Sequence, residues 1–349
     1  MIKPRKHIEE FERDGQPYDT RLNRMRLAFN EYVDKIDDDF VNEILAELNG
    51  ERLSAYPEVN EAYEIISKYL DMDIDNLLLG HGSDSVLFNI ISAFCGEGDT
   101  IASIIPTYGM YRVYANMLNC KFVTVEYNKE REISSKNLNE LLQCAPKVVI
   151  IANPNGVIGT RIEDMEMMNF IKEAKKREIL VIIDEAYAEY SKKTMMDYVK
   201  EYDNLVVVRS FSKSLGMAGA RIGYGVMDKE IRKHAYKMKP VVEVNVLAVS
   251  AIKVLFRNKG IRDSQIDNIV KSKIYTTCEL RKQGYDVLET ETNFILINFG
   301  DRETKVIEKL KKEKVELKRL DEKYKGYYRV TVGTIDIMEK FVGYIKEVK

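Results

Sequence analysis

The segment VVVRSFSKSLGMAGARIGYG, residues 206–225, sets Ser210, Ser212, Lys213 and Arg221 along a run of small residues. Two cations and two hydroxyls on such a scaffold suit an anion, because hydroxyl and guanidinium groups donate hydrogen bonds to oxyanions. Lys213 also has a plain reading as a loop lysine, one among 54 lysines and arginines. A lysine that reacts as a free amine needs a depressed pKa, which desolvation and a neighbouring cation help to provide. Arg221 is such a neighbour, and its planar fork also grips a phosphate bidentately.

Three further segments carry groups that chemistry can use. GHGSDS, residues 80–85, leads into an apolar-periodic stretch and places Gly82, Ser83 and Asp84 at a helix start. Free N–H groups there favour an anion. Taken by itself, a plain cap by Ser83 or Asp84 is the preferred reading. LVIIDEAYAEY, residues 180–190, ends four aliphatics with Asp184. A buried carboxylate is costly unless paired, so Asp184 meets either the protonated ring nitrogen of a cofactor or the N–H groups of the next helix. In YYRVTVG, Arg329 stands between apolar strand residues, and an inward arginine needs an anion. For Arg329, and for Arg319 in LKRLDE, a surface salt bridge is the alternative.

The elements that position these groups are legible as a pattern. NLLLG, TIASIIP, KVVIIANP, LVIIDEAY and NLVVVRSFSK read as strands, separated by helical stretches such as EDMEMMNFIKEAKKREI. That alternation predicts an α/β domain with a mostly parallel sheet and its functional groups at the carboxyl ends of the strands. From Val241 the texture changes to longer helices and short strands such as NFILINF. This predicts a large domain over 51–245 and a smaller α+β domain from 1–50 and 246–349. The charge-rich stretch 301–325 reads as a solvated helix face and its exit loop.

Composition narrows the function. The chain has 349 residues, 45% hydrophobic and 32% charged, enough for one large and one small domain. A net charge of −2 and a pI near 6.1 argue against a general nucleic-acid surface. His7, His81 and His234 are the three histidines, and none has a partner at metal-ligand spacing. A Ser-His-Asp site and a metal site are therefore not expected. Four cysteines lack a CxxC pair, so neither zinc nor a disulfide framework is expected. No apolar run is long enough to span a membrane, and the N-terminal nineteen residues lack the apolar core of a secretory signal. The expectation is a cytoplasmic enzyme whose proton chemistry falls to lysine, tyrosine or a cofactor.

Taken in order, strand-Asp-x-x-Tyr, S-x-S-K and G-x-A-G-x-R-x-G resemble the fold-type I pyridoxal-phosphate aminotransferases. PTYGMY at 106–111, DEAYAEY at 184–190 and RVTVGT at 329–334 narrow the resemblance to the histidinol-phosphate aminotransferase group. It runs from about residue 25 to the C-terminus. It implies that Lys213 forms the internal aldimine and shuttles the substrate proton. Asp184 would keep the pyridine nitrogen protonated, Tyr187 would donate to the ring's phenolic oxygen, and Tyr108 would stack on the ring. Ser83, Asp84, Ser210, Ser212 and Arg221 would surround the phosphate. Tyr56, in SAYPE, would reach that phosphate across a homodimer interface. Arg329, helped by Arg319, would bind the substrate's carboxylate or phosphate.

Two departures stand out. Where the family has N-P-N-N-P-T-G this chain has NPNGVIG, residues 153–159, so Gly156 replaces the asparagine that serves the phenolic oxygen. Asn155, or Tyr187 by itself, would have to compensate. The family's N-E-N-P-Y-G appears as NEYVDKID, residues 30–37, keeping Asn30 as a substrate contact but losing Pro-Tyr-Gly. The expected reaction moves an amino group between a donor such as glutamate and a small phosphorylated oxo compound, of which imidazole acetol phosphate is the group's own. A decarboxylase of phosphoserine or phosphothreonine type is the alternative, since the bond held perpendicular to the ring is the one that breaks. A non-catalytic cofactor-binding homologue is the third reading, and retention of Lys213, Asp184 and Arg221 speaks against it.

Overall fold

Strands buried on both faces have no solvent side, so they read as continuous apolar runs rather than alternating ones. The structure, a computed structural model, describes residues 2–13 and 21–348, so part of the N-terminal nineteen residues read for a secretory signal lies outside the described residues. After the short β1 (Met25–Arg26) come β2 (Leu77–His81), β3 (Thr100–Ile105), β4 (Lys121–Glu126) and β5 (Val148–Ala152). β6 (Leu180–Asp184), β7 (Leu205–Ser210) and β8 (Ile222–Val226) follow. β2 to β8 form one sheet in the order β2-β8-β7-β6-β5-β3-β4. β8 runs antiparallel to both neighbours, and the other pairings are parallel.

The period of two along each strand divides the sheet's faces. Val181 and Ile183 of β6 pack on the helices Val59–Leu70, Asp164–Lys176 and Val246–Arg257 and on Phe40 and Ile44. Leu180 and Ile182 pack the other way, on the helices Gly82–Phe94, Met110–Met117 and Lys229–Ala235. Asp184 continues the second set, which aims its carboxylate at the helix carrying Tyr111. The fold is α/β with a mostly parallel central sheet, as the strand–helix alternation predicts.

A second sheet is built from β9 (Asp286–Leu288), β10 (Phe294–Asn298), β12 (Lys318–Arg319) and β13 (Tyr327–Thr331), antiparallel in the order β12-β13-β10-β9. Between them in sequence, β11 (Val315–Glu316) pairs in parallel with β1 and ties in the N-terminal segment. Ile295, Ile297, Tyr328 and Val330 face a core closed by the helix Ile335–Lys346 and by Leu27 and Val33. Phe294 and Leu296 face the opposite way, into the core of the large sheet. Arg329 lies across from Leu296, so it faces the large sheet as well.

Candidate active site

The carboxyl ends of β3, β5, β6 and β7 lie along one edge of the large sheet. β2 runs in the same sense and delivers the start of the helix Gly82–Phe94 to that edge, while antiparallel β8 begins there, just after Arg221. Residues as distant in sequence as Asp84, Asp184, Lys213 and Arg221 thus converge because their strands end together.

Asp184 is 6% exposed. Its Oδ2 accepts from Tyr111 Oη at 2.7 Å and its Oδ1 from the Ala186 N–H at 3.1 Å. Burial outweighs both bonds and pushes the carboxyl up to about 6. No cation pairs with it at salt-bridge distance among the described residues. The Asp184 site therefore favours a protonated partner that would restore the carboxylate.

Lys213 Nζ donates to the Phe29 carbonyl at 3.1 Å and stands 5.8 Å from the Tyr187 ring centroid. Arg221 Nη1 lies 3.4 Å from Ser212 Oγ and from the Ala218 carbonyl, and its Nη2 donates to Asp84 Oδ2 at 3.1 Å. Asp84 also accepts from Tyr108 Oη at 2.8 Å and Tyr114 Oη at 3.2 Å. Ser210 Oγ accepts from the Ser212 N–H at 3.2 Å, which curls the turn after β7. The helix Gly82–Phe94 starts with no side-chain cap, with Ser83 at that start and Gly82 bridged to Ile222. Gly82 has φ +76, and a Cβ there would sit 2.5 Å from Arg221 Nη2. A Cβ on Gly223 would lie 2.2 Å from the Ser83 nitrogen, so both glycines let Arg221 and β8 close on this helix start.

On the facing side, Arg329 Nη1 donates to the Gly156 carbonyl at 2.6 Å and Nη2 to the Ala28 carbonyl at 2.7 Å. Its Nε is buried without a hydrogen-bond partner among the described residues. Burial pushes this guanidinium down from its ordinary value, the mark of a cation short of an anion. Asn30 is 1% exposed, and its Nδ2 donates to Tyr187 Oη at 2.9 Å and to the Gly156 carbonyl at 3.1 Å.

Three residues singled out from sequence stand elsewhere. Arg319 is opposite Tyr328 in the β12–β13 register, on the face away from Arg329, and both Arg319 and Tyr328 meet Glu303. Asn155 accepts from the Val157 and Ile158 N–H groups of its own loop and donates its amide N–H to the Pro106 carbonyl, just past β3. Tyr56 is 85% exposed, just past the helix Gly50–Ser54. Conversely, Tyr111, the last residue of PTYGMY, and Tyr114 join the site by donating to Asp184 and Asp84, although the sequence reading gives neither a role. Their spacing from Tyr108, three and six residues on, would put all three along one helix face, and that is the signal available in sequence.

This sheet order, with a strand-end carboxylate, a lysine and an arginine gathered at one edge, is the arrangement that the resemblance to fold-type I pyridoxal-phosphate enzymes implies. The sequence profile of the family described as aminotransferase class I and II matches residues 23–345, and the chain belongs to that family. It is 30% identical over 345 residues to a histidinol-phosphate aminotransferase of Thermococcus gammatolerans, covering 98% of this chain and 97% of that one. The histidinol-phosphate aminotransferase of Sinorhizobium meliloti, solved in complex with pyridoxal-5′-phosphate, superposes with a TM-score of 0.88 at 18% identity, covering 100% and 98% of the two chains. An L-threonine-O-3-phosphate decarboxylase of Porphyromonas gingivalis has the same fold, with a TM-score of 0.76 at 20% identity and coverage of 92% and 98%.

The protein is a pyridoxal-phosphate-dependent aminotransferase, and its residues fit that cofactor. Asp184 is a buried carboxylate short of a cation, which a pyridinium nitrogen provides. Arg221, the uncapped helix start and the Gly82–Gly223 cradle would hold the phosphate. When bound, pyridoxal 5′-phosphate supplies the electron sink for the pair left on a substrate carbon.

Proposed function

We propose that this aminotransferase moves an amino group from glutamate to a small phosphorylated oxo compound of the imidazole acetol phosphate type, giving the histidinol phosphate type of product. Arg329 carries this reading. A guanidinium facing the site, held by two carbonyls and with Nε unpartnered, recognises an anionic end of the substrate. Lys213, whose amine stands 5.8 Å from the Tyr187 ring centroid, moves the proton on the substrate carbon, and Tyr108 covers the ring. The names of relatives that match along the whole chain support the same substrate class.

The enzyme acts as a cytoplasmic homodimer in this reading, with Tyr56 reaching the partner's phosphate. Leu53, Tyr56 and Val241 are 65%, 85% and 93% exposed, apolar surface that a second copy would cover. Among the described residues no helix is long and apolar enough to cross a membrane.

The test uses the purified, cofactor-loaded enzyme. Glutamate and histidinol phosphate should each convert the visible absorbance to that of the pyridoxamine form. No spectral change with any amino donor, together with carbon dioxide release from phosphoserine or phosphothreonine, would replace transamination by decarboxylation.

A further inference from the structure

We propose that Asn30 is a positioning residue that orients the Tyr187 hydroxyl as a donor into the cofactor site, standing in for the amide that Gly156 lacks. The inference rests on cofactor binding at this site and goes beyond the substrate contact expected of Asn30.

The room for a side chain at Gly156 is already taken. A Cβ built there would meet Tyr187 Cε2 at 2.8 Å and Oη at 3.1 Å. The tyrosine ring thus leans into the space that an asparagine at this position would use. Asn30 approaches from the N-terminal segment and bonds to Tyr187 Oη and the Gly156 carbonyl with one Nδ2. The direction of the bond to Tyr187 matters. An amide N–H can only donate, so the phenol oxygen accepts from Asn30 and its own hydrogen remains free to donate elsewhere.

Asn30 is held hard in this pose. Its N–H donates to Thr331 Oγ1 at 2.9 Å, Thr331 Oγ1 lies 3.3 Å from its Oδ1, and Asn293 Nδ2 donates to its carbonyl at 3.0 Å. Its backbone is left-handed at φ 56, a conformation that asparagine tolerates better than most residues. Two of these bonds fix the Asn30 backbone and the third its amide oxygen, which together set where the Nδ2 donor points. The ionisable groups facing Tyr187 are Lys213 from the loop after β7, Arg329 from β13, Tyr108 from the loop after β3, and Tyr190. None of them appears among the hydrogen-bond partners of Tyr187 Oη, and Asn30 does.

A donor aimed at the cofactor's phenolic oxygen stabilises the deprotonated form of the Lys213-linked cofactor. Losing it raises the pH midpoint of the visible absorbance change, a readout independent of turnover. Tyr187→Phe should raise that midpoint by about one unit. Asn30→Gly, which suits the left-handed backbone, should raise it by roughly 0.3 to 1 unit. In the Tyr187→Phe background, Asn30→Gly should add nothing, because Asn30 acts through that hydroxyl. Asn30→Asp keeps the shape and the Thr331 contact but cannot donate, so it should shift the midpoint in the same direction. An unchanged midpoint in Asn30→Gly and Asn30→Asp, or an undiminished shift in the Tyr187→Phe background, overturns the proposal. A parent enzyme with no visible band at all overturns the cofactor reading instead, and this inference with it.

Discussion

Replacing Asp184 by asparagine should stabilise the cofactor-free protein near neutral pH while impairing the loaded enzyme. Burial raises this carboxyl from an ordinary 3.8 to about 6, a change of roughly two units. At about 1.36 kcal/mol per unit, holding the charge costs the folded state on the order of 3 kcal/mol. An acid with a raised folded pKa binds its proton more tightly folded than unfolded. Stability therefore falls as pH rises from about 4 to about 6 and is flat above that. Asparagine removes the charge but must also house an NH2 beside Tyr111 Oη, so a net gain of about 1–2 kcal/mol is the realistic expectation. Urea denaturation of the cofactor-free parent and of Asp184→Asn at about pH 8 and about pH 5 measures it. The variant's advantage should be largest at the higher pH and shrink as pH falls through 6. With cofactor added the order should invert, because the parent gains a charge-paired ligand and the variant a weaker one. A variant less stable than the parent at the higher pH, or a difference independent of pH, refutes the idea that Asp184 is an uncompensated buried charge.

Other consequences are direct. Lys213→Ala should still take up cofactor, but borohydride should no longer fix it to the chain; fixation at the parent's yield would mean that another lysine reacts. Arg329→Met should raise KM for the anionic substrate about a hundredfold, equivalent to ~3 kcal/mol, in steady-state kinetics of the loaded enzyme. An unaltered KM would remove Arg329 from substrate recognition. Gly82→Ala forces a Cβ against Arg221 at φ +76, so it should cost about 1–2 kcal/mol of stability and weaken cofactor affinity. A melting temperature and cofactor titration matching the parent's would show that the cradle has slack.

Much of the site was legible because it is made of strand ends. A run such as LVIID announces both a buried strand and the polar group that stops it, and the same holds for NLVVVRSFSK. Both signals are local, so Asp184, Lys213 and Arg221 stand out without knowledge of what lies beside them. Arg329 and Arg319 look alike in sequence, but the antiparallel register sends them to opposite faces of the second sheet. A one-residue difference in parity decides that, and nothing near either arginine encodes it. Asn155 is the chain neighbour of Gly156 and the obvious substitute for the lost amide, yet its own amide closes its own turn.

The sequence by itself determined the apolar runs, their alternation with helices, and the identity and order of the groups that end the strands. Those features arise from residue type and short-range periodicity, and they also set the cofactor chemistry. Tertiary structure alone decided which groups meet across long separations. Asn30 reaches Tyr187 over 157 positions, and Arg329 reaches the Gly156 carbonyl over 173. Such contacts depend on how two sheets and an N-terminal segment pack against one another, a balance of burial and register summed over the whole chain.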